Sequence, residues 1–318
     1  MAILGGGAFG TALAVALAAG GADVTLWARD RSLVEGMRRD RQNGRLPGVT
    51  LPAKISVTST LADVAGTFPV LLAVPMQALG AFLKDASDLL NGRPLVACCK
   101  GVDLTSLKGP TGLIADACPD AMPAILTGPS FAADIARGLP TALTLACRNH
   151  VAGEDLQRQL STPTLRIYRT PDVIGAELGG ALKNVIAIAA GIVVGAGLGD
   201  SARAALMTRG YAEILRMALH LGAQSETLAG LSGLGDLVLT CTSAQSRNFR
   251  YGRSLSEGGS FDRSLTVEGV ATAHAVSALA AKEGIEMPIT QMVWAVLDGK
   301  INIRDAIDAL LSRPLKQE

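Results

Sequence analysis

Leu4-Gly5-Gly6-Gly7-Ala8-Phe9-Gly10 follows a short apolar strand almost at the start of the chain and sets glycines at the first, third and sixth positions of a tight turn. A dinucleotide pyrophosphate would use each of them. Gly5 makes the turn, Gly7 lets the backbone approach the pyrophosphate, and Gly10 lets the following helix, Thr11 to Ala19, pack on the strand with its N-terminus facing the phosphates. A structural Gly-rich βα turn would carry the same pattern. The context favours the cofactor reading, because Ala22 to Ala28 makes a second strand about 20 residues on and ends in Arg29-Asp30, where a ribose contact is expected.

Outward from this turn, the first half alternates short β-branched runs with amphipathic segments, as parallel strands and crossover helices do. Strands are predicted at Ala2 to Leu4, Asp23 to Trp27, Ile55 to Thr58, Val70 to Val74, Leu95 to Cys98, Ala124 to Thr127, Ala142 to Cys147 and Leu165 to Tyr168. Their C-terminal ends carry Gly5-Gly6-Gly7, Arg29-Asp30, Pro75, Lys100-Gly101 and Gly128-Pro129-Ser130, and ligands of open α/β sheets sit beyond those ends. From about Ala176 the strand-like runs stop and long Ala/Leu-rich helical stretches take over. The expected fold is α/β: an N-terminal Rossmann-type, mostly parallel sheet over residues 1–175 and an all-α C-terminal domain over 176–318, with the boundary near Asp172 to Leu178.

Composition narrows the function. The 318 residues suggest about two domains. With 29 Lys and Arg against 28 Asp and Glu the formal charge is +1, which points away from nucleic acid and from acidic membrane surfaces. Arg38-Arg39-Asp40-Arg41 with Arg45 reads as a solvated helix face. The cysteines at 98, 99, 118, 147 and 241 include no CxxC pair, and His150, His220 and His274 offer no zinc spacing. Reduced thiols, a cytoplasmic location and no metal site are expected. The chain opens directly into its first strand, so no secretory leader is expected. Val185 to Gly199 is the longest uncharged apolar stretch, short of the ~20 residues a membrane span needs, and reads as a buried core helix running into a glycine loop.

Lys183 lies inside a helix so rich in small and apolar residues that it must pack closely on several faces. Burial lowers the pKa of an ammonium, which lets a lysine exchange protons near neutrality; a lysine snorkelling from the core or paired with Glu177 is the alternative. Lys100 closes a strand at the ligand edge, where it could meet a substrate oxygen or stand as a surface lysine. Gly128-Pro129-Ser130-Phe131-Ala132 lacks the final glycine of a serine-nucleophile elbow, and no histidine follows with a paired acid, so it better serves to lay amides and the Ser130 hydroxyl against a ligand. Leu231 to Leu237 breaks a helix and presents Asp236. Ser246, Arg247 and Asn248 offer three adjacent donors, of the kind a phosphate dianion needs, or a polar helix start capped by Ser246.

Taken together, GGGAFGTALA from Gly5, LWARD from Leu26, LPGVTLP from Leu46, CKG from Cys99, GPSFA from Gly128, GGALKNVIAIAAGI from Gly179, GLGDLVLTC from Gly233, SRNFRYG from Ser246 and VEG from Val267 strongly resemble bacterial NAD(P)-dependent glycerol-3-phosphate dehydrogenase, over the full length and in order. The resemblance implies reversible reduction of dihydroxyacetone phosphate to sn-glycerol 3-phosphate for phospholipid synthesis. It implies Lys183 as the proton acceptor or donor and Lys100 as a contact to cofactor and substrate. Gly128, Ser130, Asp236, Ser246, Arg247 and Asn248 would line or hold the substrate. Ala8, Phe9, Arg29, Ala132, Arg247 and Glu268 match the family's cofactor positions, and by analogy the helical half forms a homodimer.

Three departures stand out. The first strand has almost no residues before it, which suggests weaker anchoring. Asp134 replaces a glutamate common after GPSFA. Arg29, suited to the adenosine phosphate of NADP, stands beside Asp30, suited to the free ribose hydroxyl of NAD; NADPH use with NADH tolerated is the expectation. The rivals are another two-domain dehydrogenase, which would not need the Ser246-Arg247-Asn248 cluster, and a silent dinucleotide sensor, which would not need both lysines.

Overall fold

The computed structural model describes residues 1–262 and 265–312. Its strands are β1 (Ala2–Leu4), β2 (Val24–Trp27), β3 (Gln42–Asn43), β4 (Leu46–Thr50), β5 (Ile55–Thr58), β6 (Val70–Leu72), β7 (Pro94–Ala97), β8 (Met122–Thr127), β9 (Thr141–Cys147) and β10 (Leu165–Thr170). Eight of them form one sheet in the order β10-β9-β8-β7-β6-β1-β2-β5. The six from β5 to β8 run parallel, β9 turns antiparallel to β8, and β10 runs parallel to β9. The order β5-β2-β1-β6-β7-β8 is the doubly wound order, which reverses between β1 and β6 and opens a crevice at the carboxyl ends there.

Alternation along each strand builds two layers of core. Ile3, Leu26, Leu71 and Val96 face one apolar cluster, while Ala2, Leu4, Leu72 and Leu95 face the other. Parallel strands covered by helices on both faces read as unbroken apolar runs, as in β1, β6 and β7, while β10 alternates buried and exposed residues.

One expectation about the sheet needs correction. β1 is well anchored despite its position at the chain start: it is central, pairs with β2 and β6, and Ala2, Ile3 and Leu4 are fully buried. The stretch between the helix Arg31–Asp40 and β5 is an antiparallel hairpin of β3 and β4, which the sequence does not announce as strand because Gly44, Pro47 and Gly48 read as loop punctuation. Asp134 accepts a hydrogen bond from Arg137 at 2.6 Å, a local pairing at the surface.

The helical half is organised on Val173–Gly195, packed by the helices Gly199–His220, Arg247–Glu257 and Glu268–Glu283. Asp172 caps its start, accepting from Gly175 N at 2.8 Å and from Gln224 N at 2.8 Å. Close approach is obligatory: a Cβ on Gly252 would lie 2.0 Å from the Ile188 carbonyl oxygen, and one on Gly191 would lie 2.1 Å from that of Phe249. Val173–Gly195 is, among the described residues, the one helix long and apolar enough to cross a membrane, and 89% of its most apolar window is buried inside the fold. It is the core of the helical half.

Candidate active site

The glycine-rich turn has the geometry its spacing implies. Gly5 has φ +134°, and a Cβ there would sit 2.4 Å from the Ala73 carbonyl oxygen. At Gly10 a Cβ would come within 2.1 Å of the Gly5 carbonyl oxygen, so the helix Ala8–Ala19 rests directly on the strand end. Gly7 is the N-cap of that helix, with no side-chain cap and nothing within 4 Å of a Cβ built on it. Uncapped amides over open space at a helix start fit a pyrophosphate. The helix Ala132–Ala136 packs against the helix Ala8–Ala19, and Ala8, Phe9 and Ala132 all pack against the same apolar cluster.

At the end of β2 the polar pair separates into two tasks. Asp30 caps the helix Arg31–Asp40, its carboxylate accepting from Ser32 N at 3.0 Å and Leu33 N at 3.2 Å. Arg29 is exposed.

The helical half brings Lys183 and Asp236 to the ends of β7 and β8. A π-helical turn, Leu231–Gly235, delivers Asp236 into the interior at the start of the helix Asp236–Thr242. Its carboxylate is fully buried and accepts from both lysines, from Lys100 Nζ on Oδ2 at 2.6 Å and from Lys183 Nζ on Oδ1. Lys100 also donates to the Gly128 carbonyl oxygen at 3.2 Å, as does the Ser130 hydroxyl at 3.1 Å. Lys183 is 6% exposed and donates further to Thr240 Oγ1 at 2.8 Å. Burial pulls its pKa from 10.5 down to about 8, opposed by the Asp236 charge and assisted by the charge of Lys100. Two cations sharing one anion leave this buried triad with a net positive charge.

The triad backs a cavity of about 160 Å³ whose lining includes Phe9, Lys100, Ser130, Lys183, Thr240, Ser246, Arg247, Asn248 and Glu268. Ser246 caps the helix Arg247–Glu257, accepting from Phe249 N at 3.2 Å, so the capping alternative holds together with its place in the cavity. Asn248 donates to Asn184 Oδ1 at 2.9 Å and accepts from Gly269 N at 2.9 Å, which ties three helices around the cavity. Glu268 is partly buried, and burial raises its pKa against the opposing charges of Arg247, Lys100 and Lys183. Burial likewise pushes the Cys98 thiol up to about 12.

Of the residues singled out in the sequence, the cavity gathers Phe9, Lys100, Ser130, Lys183, Ser246, Arg247, Asn248 and Glu268. Asp236 and Gly128 lie behind it as partners of the lysines, while Gly5, Gly7, Ala8, Gly10, Arg29 and Ala132 lie along the sheet edge outside it. Glu177 is not the partner of Lys183; it accepts from Thr111 N at 2.7 Å at the start of the helix Pro110–Ala117. It also borders a larger cavity, about 240 Å³, lined mostly by apolar side chains and reached by neither lysine. Sequence reasoning misses Thr240 and Asn184. Thr240 is detectable, since it stands four residues after Asp236 and so on the same helix face. Among the described residues no group of three or more His, Cys, Asp or Glu side chains could hold a metal ion.

Comparison with known proteins gives a consistent result. Residues 1–152 match the family described as NAD-dependent glycerol-3-phosphate dehydrogenase N-terminus, and residues 172–308 match its C-terminus. The chain is 65% identical to glycerol-3-phosphate dehydrogenase [NAD(P)+] of Cereibacter sphaeroides, covering 99% of each chain. It is 60% identical to the Paracoccus denitrificans enzyme of the same name, covering 100% of this chain and 99% of the other. The crystal structure of glycerol-3-phosphate dehydrogenase from Coxiella burnetii superposes with a TM-score of 0.93 at 38% identity, covering 98% of both chains. A Rossmann-type sheet, a helical half with its buried lysine, and these full-length matches agree: the chain belongs to the NAD-dependent glycerol-3-phosphate dehydrogenase family.

Proposed function

We propose that this protein catalyses the reversible NAD(P)H-dependent reduction of dihydroxyacetone phosphate to sn-glycerol 3-phosphate. The observation that carries the reading is the Lys183-Asp236-Lys100 triad at a cavity that Ser246, Arg247 and Asn248 also line. NADPH or NADH, when bound, supplies the hydride. Gly5, Gly7, Ala8, Phe9 and Gly10 would hold its pyrophosphate region, with Arg29, Lys100, Ala132, Arg247 and Glu268 as further contacts. Lys183 donates a proton to the oxygen of the ketone, or removes one from the alcohol in the reverse direction. Lys100 and the net positive charge of the triad stabilise negative charge on that oxygen. Arg247, Ser246 and Asn248 grip the phosphate, Gly128 and Ser130 border the substrate, and Asp236 orients both lysines beneath it. Remote binding of the phosphate holds the reacting carbon in register.

Arg247→Ala is therefore expected to raise KM for dihydroxyacetone phosphate by about 10–100-fold, the cost of a charge-assisted contact. Steady-state kinetics at saturating cofactor check it, and an unchanged KM would mean that the phosphate binds elsewhere. The reaction itself is tested by the loss of NADPH absorbance with dihydroxyacetone phosphate, beside NADH and unphosphorylated dihydroxyacetone. No turnover despite dinucleotide binding would discard the substrate.

NADPH is the preferred cofactor in this reading. Asp30 turns its Oδ1 to the helix cap, while exposed Arg29 stands beside it to meet the adenosine phosphate. Arg29→Ala should lower the NADPH-to-NADH ratio of kcat/KM by about tenfold, the worth of one charge-assisted contact. A tenfold preference of the unaltered protein for NADH would overturn the assignment.

The same reading takes residues 1–175 as the dinucleotide-binding domain and 176–318 as the substrate-binding and dimerisation domain, of which residues 263–264 and 313–318 lie outside the described residues. It makes the protein a cytoplasmic homodimer that feeds glycerophospholipid synthesis. Support for the dimer comes from the helical half, whose exposed Leu198 and Leu219 would gain from a partner. Sedimentation as a monomer would refute it.

A further inference from the structure

We infer that Asn43, in the β3–β4 hairpin, is a positioning residue for the dinucleotide's pyrophosphate, acting through the backbone of the glycine-rich turn. The inference rests on the dinucleotide reading of that turn.

Asn43 is 1% exposed although Gln42, Gly44 and Arg45 around it are not buried. An asparagine that only shaped a hairpin would keep its amide at the surface. This one spends every polar atom inward or locally: Oδ1 accepts from Arg45 N at 3.0 Å, and Nδ2 donates to the Gly6 carbonyl oxygen at 3.1 Å and to Thr11 Oγ1 at 2.7 Å. The two acceptors bracket the turn, one before the N-cap and one in the first turn of the helix Ala8–Ala19.

The peptide linking Gly6 to Gly7 is a planar trans unit, so its C=O and N–H point in opposite directions. Holding the Gly6 carbonyl against Asn43 therefore turns the Gly7 N–H away from the hairpin. Thr11 is fixed by the same amide. The hairpin is itself rigidly rooted, because Arg41 donates to the carbonyl oxygens of Leu51 at 3.3 Å and Ile55 at 3.0 Å, and to that of Pro52. Glycines alone leave such a turn many conformations; an external donor selects one before the anion arrives, which lowers the cost of binding.

The test titrates NADPH and NADH into the full-length protein and measures steady-state kinetics for Asn43→Ala, Asn43→Asp and Thr11→Val. Asn43→Asp keeps the volume and replaces the donor facing Gly6 with an acceptor, so it serves if the alanine variant does not fold. Expected is a rise in Kd and KM for the dinucleotide of about tenfold for the Asn43 variants and less for Thr11→Val. At saturating dinucleotide, kcat and KM for dihydroxyacetone phosphate should stay within about twofold of the unaltered values. Unchanged dinucleotide affinity in folded variants overturns the inference, as does a parallel loss in kcat and substrate KM, which would mark Asn43 as merely structural. Failure of the unaltered protein to bind either dinucleotide would instead remove the reading on which it rests.

Discussion

Lys183→Ala is expected to lower kcat for ketone reduction by about 10²–10⁴-fold, or roughly 3–5 kcal/mol of barrier, while dinucleotide affinity stays nearly unchanged. The groups neighbouring Lys183 are committed to other partners. Lys100 shares its carboxylate partner but is turned to the Gly128 carbonyl, and Thr240 already donates its hydroxyl hydrogen to the Asp236 carbonyl oxygen at 2.6 Å. The pH profile of the unaltered protein gives the sign. With a pKa of about 8, Lys183 is protonated below that value and neutral above it. Ketone reduction needs the proton, so its rate should fall as pH rises through about 8. Alcohol oxidation needs the neutral amine and should rise over the same range. Near-normal kcat in the alanine variant would take Lys183 out of its role, and a reduction rate that climbed above this pH would do the same.

The second large effect is expected at Asp236. Its alanine variant leaves two ammonium groups without the carboxylate that holds both, and removal of one partner from a buried ion pair costs about 3–5 kcal/mol of stability. Asp236→Asn keeps the volume and part of the hydrogen bonding, and so separates charge from packing. Because the Asp236 charge raises the pKa of Lys183 against its burial, either variant should move the alkaline limb of ketone reduction to lower pH. Denaturant unfolding measures the stability loss, and pH-rate profiles of the asparagine variant measure the shift. An alkaline limb that stays in place would show that Asp236 does not control the proton on Lys183.

Much of this site is legible in the amino-acid sequence. Lys183 stands out because a charged side chain in a run of Gly, Ala, Val and Ile has few places to go other than a function. The glycine turn is legible because each glycine answers a separate steric need, and two of those needs appear as clashes that a Cβ would cause. The partners are harder to see. Lys183 has a nearby carboxylate in sequence, Glu177, yet pairs with one 53 residues away, because that distant carboxylate is carried inward by a π-helical turn. Asn184 and Thr240 lack any local signal beyond their spacing from other site residues. Asn43 lies in a stretch whose prolines and glycines hide a hairpin.

The sequence by itself determined the mostly parallel sheet, the switch from strands to helices near residue 172, the position of the glycine-rich turn and the identity of both lysines. Each of these is set by local periodicity, by steric demands on glycine, or by a charge out of keeping with its neighbours. Only the tertiary structure decided which carboxylate holds the lysines, that Asp30 caps a helix, and that a hairpin asparagine grips the glycine turn. The contacts of the lysines and of Asn43 depend on which helix and strand ends the packed core brings within a hydrogen bond of one another, and proximity between residues 32 to 136 positions apart leaves no periodic trace in the chain.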